Sequence, residues 1–201
     1  MRDKIWFMVL VLGVIGAIAG VALAGVKTLT DPVIEKFTLE QKVKPSLEAF
    51  FGPIGIDNDY IADRVTLELG KDDIGRMLRL TVFKGKKGGA ITAVALQTAA
   101  PGYGGDLTVL TAFDIEGGAI LGVKTLDQKE TVGLGARVGD DSEPFIQQWA
   151  GKSYAKGVAL SSDGGEIDAI SGATISSTAF TEAVNKAVTL LGARNAEIMG
   201  E

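Results

Sequence analysis

The sequence predicts an α+β chain: one N-terminal transmembrane helix, then an exported domain built on an antiparallel sheet with flanking helices. Three observations predict it. Residues Ile5 to Val26 form an uncharged apolar run, the middle of the chain alternates apolar and polar residues in short stretches, and the last third carries apolar residues at helical spacing.

The apolar run reads IWFMVLVLGVIGAIAGVALAGV. At about 1.5 Å per residue it makes a helix of about 33 Å, enough for a hydrocarbon core of about 30 Å. Apolar residues cover every face, unlike a helix that packs one stripe on a core. Trp6 and Phe7 stand where interfacial aromatics belong. Ala22-Leu23-Ala24 resembles a signal-peptidase site, yet the run exceeds the about 7–15 residues of a signal core, so a retained anchor is expected. Arg2 and Lys4 precede the span, whereas Asp31 and Glu35 soon follow Lys27. The positive-inside rule therefore places the N-terminus in the cytoplasm and exports residues 28–201. The span holds no ionisable group, so an ion path is not expected in it. Gly13, Gly16, Gly20 and Gly25 suit close packing against partner helices, although Gly is frequent in such spans anyway.

The chain then divides into an anchor (1–27), a helical connector (28–60) and a domain (61–201). Thr30-Asp31-Pro32 reads as a helix start, Pro45 as a break near Lys44, and Gly52-Pro53-Ile54-Gly55 as the end of the helical region. Arg64–Leu69, Met77–Phe83 (through Leu78, Leu80 and Val82) and Ile91–Leu96 alternate as strands do. Leu107–Phe113 and Ala119–Leu126, separated by Glu116-Gly117-Gly118, predict a hairpin. Glu143–Ala150 reads as a helix and Gly157–Ser161 as one more strand. Ile175–Gly192 is an amphipathic helix with Phe180, Ala183, Val184, Ala187, Val188 and Leu191 on one face.

Composition narrows the chemistry. The formal net charge is −5 and no basic run interleaves with aromatics, which argues against nucleic-acid binding. The chain has no Cys and no His. That excludes a disulfide, a thiolate zinc site, an iron–sulfur cluster, a Ser-His-Asp triad and His-ligated haem. Redox chemistry in this chain would have to use an organic cofactor.

One segment combines the features of a phosphate site. Asp168-Ala169-Ile170-Ser171-Gly172-Ala173-Thr174 leads directly into the C-terminal amphipathic helix. Gly172 and Ala173 leave the backbone uncovered, and the first N–H groups of a helix lack intrahelical partners and carry partial positive charge. The same pattern also describes an ordinary helix cap in a small-residue loop. Two glycine-rich loops precede it: Pro101-Gly102-Tyr103-Gly104-Gly105-Asp106 and Glu130-Thr131-Val132-Gly133-Leu134-Gly135. Their turns would let backbone N–H groups approach a flat ligand, with Leu134 on one face and Glu130 or Thr131 at its polar edge. They are equally readable as plain turns holding a sheet together.

The segment Asp168–Thr174 matches a D-x-x-S-G-A-T signature, and on it the chain resembles the FMN-binding domain family. The resemblance implies FMN carried as a phosphoester on Thr174, installed by a dedicated flavin transferase that reads Asp168 and Ser171. The two loops resemble that family's glycine loop and its E-T-P-G-L-G loop. Here Val132 replaces the usual Pro, and Gln128 stands where a His is common. The site residues so implied are Thr174, Asp168, Ser171, Gly172, Ala173, Gly102, Tyr103, Gly104, Glu130, Thr131, Gly133, Leu134 and Gly135. Ser176, Ser177 and Thr178 fall outside the match and are not assigned as acceptors.

The order of anchor, loops, hairpin and SGAT helix is similar to the G-subunit family of the Rnf electron-transport complex. The C subunit of the sodium-translocating NADH:quinone reductase is a close relative. The resemblance implies a single-pass membrane flavoprotein that relays electrons on the outer, periplasmic face. Its partners would be the other membrane subunits of the complex. The alternatives are the quinone-reductase subunit, another exported flavoprotein, or a non-redox single-span scaffold whose SGAT segment merely caps a helix.

Overall fold

The computed structural model describes residues 2–71 and 77–200. It comprises two units, Met1–Lys42 and Val43–Glu201.

The first unit is dominated by α1 (Arg2–Thr38), whose side chains are exposed from residue 4 through residue 37. It is long and apolar enough to cross a membrane. The helix does not restart at Thr30 but runs through Pro32. Pro32 has no N–H to offer the carbonyl four residues back. The hydroxyls of Thr28 and Thr30 donate to the Ala24 and Val26 carbonyls inside the same helix, and Lys27 pairs with Asp31 at 2.7 Å. Thr30 is thus engaged along the helix and unavailable as a cap. After a π-helical stretch, Leu39–Val43, comes α2 (Lys44–Phe51) with Pro45 in its first turn, where a break was expected.

The second unit is a five-stranded antiparallel meander in the order β1-β2-β3-β4-β5. The strands are β1 (Val65–Lys71), β2 (Met77–Lys87), β3 (Ala90–Pro101), β4 (Asp106–Asp114) and β5 (Ala119–Asp127). All five candidate strand segments from 64 to 126 are strands; the side chain of Leu78 lies outside the described residues.

Both faces of the sheet are covered. On one, α4 (Thr174–Ala193) packs across β3 and β4. Leu80, Val82, Val94, Leu96, Val109 and Phe113 meet Phe180, Ala183, Val184 and Ala187 in a single apolar core. The Thr98 hydroxyl donates to the Ala183 carbonyl at 2.7 Å, locking the helix to the sheet. On the other face Phe83, Ala93, Ala95, Leu110 and Ala112 are also buried. There α2 and the chain after it form the cover: the Phe50 ring sits where a Cβ on Gly122 would go, and Ile56 lies over Gly85. Val43, Leu47 and Phe51 are buried with this face, so part of the 28–60 segment is built into the compact unit.

Three further elements differ from expectation. The 143–150 helix shrinks to one turn, α3 (Pro144–Gln147). Beyond it the Gln148 side chain holds the backbone of Asp168 through both its amide atoms, and Gly151 takes φ +80° as the chain turns to meet Ile120. The 157–161 strand reduces to a single parallel bridge, Leu160 with Ile167. Its would-be partner is the Asn185 side chain, which occupies both the N–H and the carbonyl of Val158. A short α5 (Asn195–Met199), not expected from the sequence, closes the core with Ile198.

Candidate cofactor cleft

Three segments distant in sequence converge beside the N-terminus of α4. They enclose a cleft of about 550 Å³ lined by Tyr103, Glu130, Thr131, Leu134, Gly135, Gly172, Ala173, Thr174, Ile175 and Ser176.

The sequence forms the helix start in a definite way. Ser171 and Gly172 make a turn in which Gly172 takes φ +78°, a conformation open to glycine at no steric cost. Ala173 occupies the N-cap position and no side chain caps the helix. The buried Ser177 hydroxyl instead ties the turn down from below: it accepts from the Ile170 N–H and donates to the Ala173 carbonyl, both at 3.0 Å. The first-turn N–H groups are thereby left without a side-chain acceptor at the point where Thr174 enters the cleft. Such an end favours an anion. The Thr174 side chain is exposed there, between the buried Ala173 and Ser176.

The glycine loop closes on itself through the Gly102 N–H to the Gly105 carbonyl at 2.8 Å. Gly104 is obligatory, because a Cβ there would stand 1.8 Å from the Lys129 carbonyl oxygen. The second loop folds over the Thr131 carbonyl, which accepts from the N–H groups of Leu134 and Ala136, and Gly133 takes φ +79°. It leads into a 3-10 turn, Gly135–Gly139, pinned by the Arg137–Glu143 fork at 2.7 and 2.9 Å. Gln128 accepts from the Glu130 N–H at 2.7 Å.

Apolar side chains stand exposed around the cleft, while Glu130 and Ser176 are buried beneath it. Tyr103 is 71 % exposed, Ile175 58 % and Leu134 47 %, all large for residues with aliphatic or aromatic bodies in a folded domain. Glu130, by contrast, is only 7 % exposed. A flat, partly apolar ligand with an anionic end suits this division.

Of the thirteen residues implied by sequence, Tyr103, Glu130, Thr131, Leu134, Gly135, Gly172, Ala173 and Thr174 line the cleft. Gly102, Gly104 and Gly133 shape its loops. Asp168 and Ser171 are exposed and do not line it; Asp168 is held through its backbone by Gln148. Two lining residues, Ile175 and Ser176, were not assigned from sequence. A first helical turn places its residues at the mouth of a site that the helix opens onto, and that periodicity was the available signal.

Residues 102–189 match the FMN-binding domain family. The chain is 31 % identical over 197 residues to the G subunit of the ion-translocating oxidoreductase complex of Stutzerimonas stutzeri, covering 93 % of this chain and 81 % of that one. It is likewise 31 % identical to the subunit of that name from Buchnera aphidicola, over 94 % and 89 %. Against the one from Cereibacter sphaeroides identity is 35 %, and the chain spans 64 % of that relative's length. The fold is similar to the C subunit of the Na⁺-translocating NADH-quinone reductase from Parabacteroides distasonis, at 20 % identity and a TM-score of 0.51, over 73 % of this chain and 79 % of that one. With a cleft built from the matched loops and helix, and with these relatives aligned over most of its length, the chain belongs to the G-subunit family of ion-translocating oxidoreductase complexes.

Proposed function

We propose that this chain is the membrane-anchored electron-transfer flavoprotein subunit of an ion-translocating ferredoxin:NAD oxidoreductase (Rnf) complex, with FMN esterified through its phosphate to Thr174. The observation that carries the reading is the exposed Thr174 hydroxyl opening an uncapped helix into a partly apolar cleft.

The residues present fit the group. The cleft, at about 550 Å³, falls in the ordinary range for small-molecule sites, about 300–1,000 Å³. The uncapped N–H groups at Thr174 and Ile175 offset phosphate charge, and the left-handed Gly172 keeps the approach clear of a side chain. Tyr103, Leu134 and Ile175 supply apolar contact and exclude water, and Thr131 offers polar atoms at the rim. FMN bound there supplies a centre that takes one or two electrons. The protein's share is to hold and orient it and to set the charge around it. No proton-transferring side chain is required, which agrees with a chain lacking His and Cys.

The same reading places α1 across the cell membrane with its N-terminus in the cytoplasm and Val43–Glu201 on the outer face. It makes the other membrane subunits of the complex the partners, and a flavin transferase acting on Asp168–Thr174 the maturation enzyme. Covalent attachment has a plain use on that side: a dissociable flavin would be lost to the medium.

The test is in-gel fluorescence after denaturation, with intact mass, on full-length protein from a host that supplies the transferase. Wild type retains a fluorescent band and the adduct mass, and Thr174→Ala loses both while remaining folded. Unmodified wild type, or adduct retained in the variant, overturns the proposal.

A further inference from the structure

The floor of the cleft is organised around one buried carboxylate. Glu130 Oε1 accepts from the Gly104 N–H at 3.0 Å and Oε2 accepts from the Ser176 hydroxyl. These partners stand 26 residues before it and 46 after it. The surrounding backbone leaves no slack: a Cβ on Gly102 would lie 2.4 Å from Oε1, and one on Gly135 2.8 Å from Oε2 and 2.2 Å from Ser176 Oγ. Three cleft segments therefore close on this one side chain.

Both of its partners are neutral donors. Among the described residues, no ion pair involves Glu130. Hydrogen bonding alone does not call for a charge here. A glutamine could accept from Gly104 with its oxygen and donate to Ser176, whose hydroxyl also accepts. The sequence nevertheless places a carboxylate there rather than its amide.

We propose that Glu130 is the positioning residue of the cleft: it clasps the glycine loop to the first turn of α4, and it sets a negative charge on the cleft floor that opposes electron addition to the flavin. The charge half rests on the proposed function above; the clasp half stands on the protein alone. Each electron added to the ring brings it nearer a negative charge state, and a buried anion beside it makes that addition less favourable.

Two measurements on full-length protein in detergent decide the matter. First, after intact mass has established flavin on each sample, the midpoint potential of Glu130→Gln is compared with wild type. The variant moves upward by at least a tenfold change in the two-electron reduction equilibrium, about 30 mV. An unchanged or lowered potential overturns the charge assignment. Second, amide hydrogen exchange at Gly104 is followed in a flavin-free Thr174→Ala background. Adding Glu130→Ala, or the milder Ser176→Ala should the first not fold, accelerates exchange at least tenfold for Glu130→Ala and by a smaller factor for Ser176→Ala. Unaltered exchange overturns the clasp. Wild type without flavin on Thr174 refutes the functional reading, and the charge half with it, while the exchange measurement still decides the clasp.

Discussion

Ser177 shows how much of the cleft depends on atoms that never reach a ligand. Its hydroxyl is fully buried and bridges the Ile170 N–H and the Ala173 carbonyl. Ser177→Ala leaves that amide without a partner, at a cost of about 1–3 kcal/mol. We expect urea denaturation to report a loss in this range, and the variant to carry less flavin than its folded fraction allows. Gly135 is bounded from the opposite direction. Gly135→Ala drives a methyl into Ser176 Oγ and the Glu130 carboxylate, an overpacking of about 1–3 kcal/mol. Thermal unfolding should fall accordingly, whereas alanine at Gly13, which lies in the other unit and where a Cβ meets nothing within 4 Å, should leave the unfolding of Val43–Glu201 unchanged.

Among the elements, α4 carries the largest share of the core and begins at the cleft. Phe180 is fully buried, with its ring centroid 5.2 Å from that of Phe145 and 5.3 Å from that of Trp149. Phe180→Ala should cost about 3–5 kcal/mol, read as a fall in the denaturation midpoint. The turn 57–63 is held to β2 differently. Asp63 accepts from Asn58 at 2.9 Å and from Lys86 at 3.0 Å, and these bonds, with Lys86 charge, keep its carboxyl below the usual aspartate range. A carboxyl lowered by folding stabilises above its unfolded value and loses that contribution as pH falls through the folded one. Asp63→Asn should therefore lower the neutral plateau of a stability–pH curve slightly and converge with wild type below the ordinary aspartate range, where the wild-type carboxyl has lost its charge. The strands were legible because alternation reports one residue at a time. So was α4, whose apolar stripe repeats over five turns. What periodicity could not show was the reach of single side chains: Asn185 satisfies the Val158 backbone groups that a further strand would have used, and Gln148, just past α3, is tied to the backbone of Asp168. In the cleft, the motif located Thr174 and the two loops, but the Glu130 clasp joins residues whose spacing encodes no pattern.

Across the whole chain, the compact unit begins at Val43. A fragment starting there keeps Leu47, Phe51 and Ile56 over the second sheet face, and should be soluble and cooperative in unfolding. One starting at residue 61 bares Phe83 and Leu110 and should aggregate, as light scattering would reveal. The meander has a further consequence for how the molecule is made. Each strand pairs with its sequence neighbour, so the sheet can assemble in step with translation. The bond from Thr98 to Ala183, by contrast, spans 85 residues, and α4 leaves the ribosome only after all five strands. A nascent chain stalled before that helix would hold a finished sheet and no receptacle, so any tailoring of Thr174 that depends on its enclosure must wait until α4 has emerged.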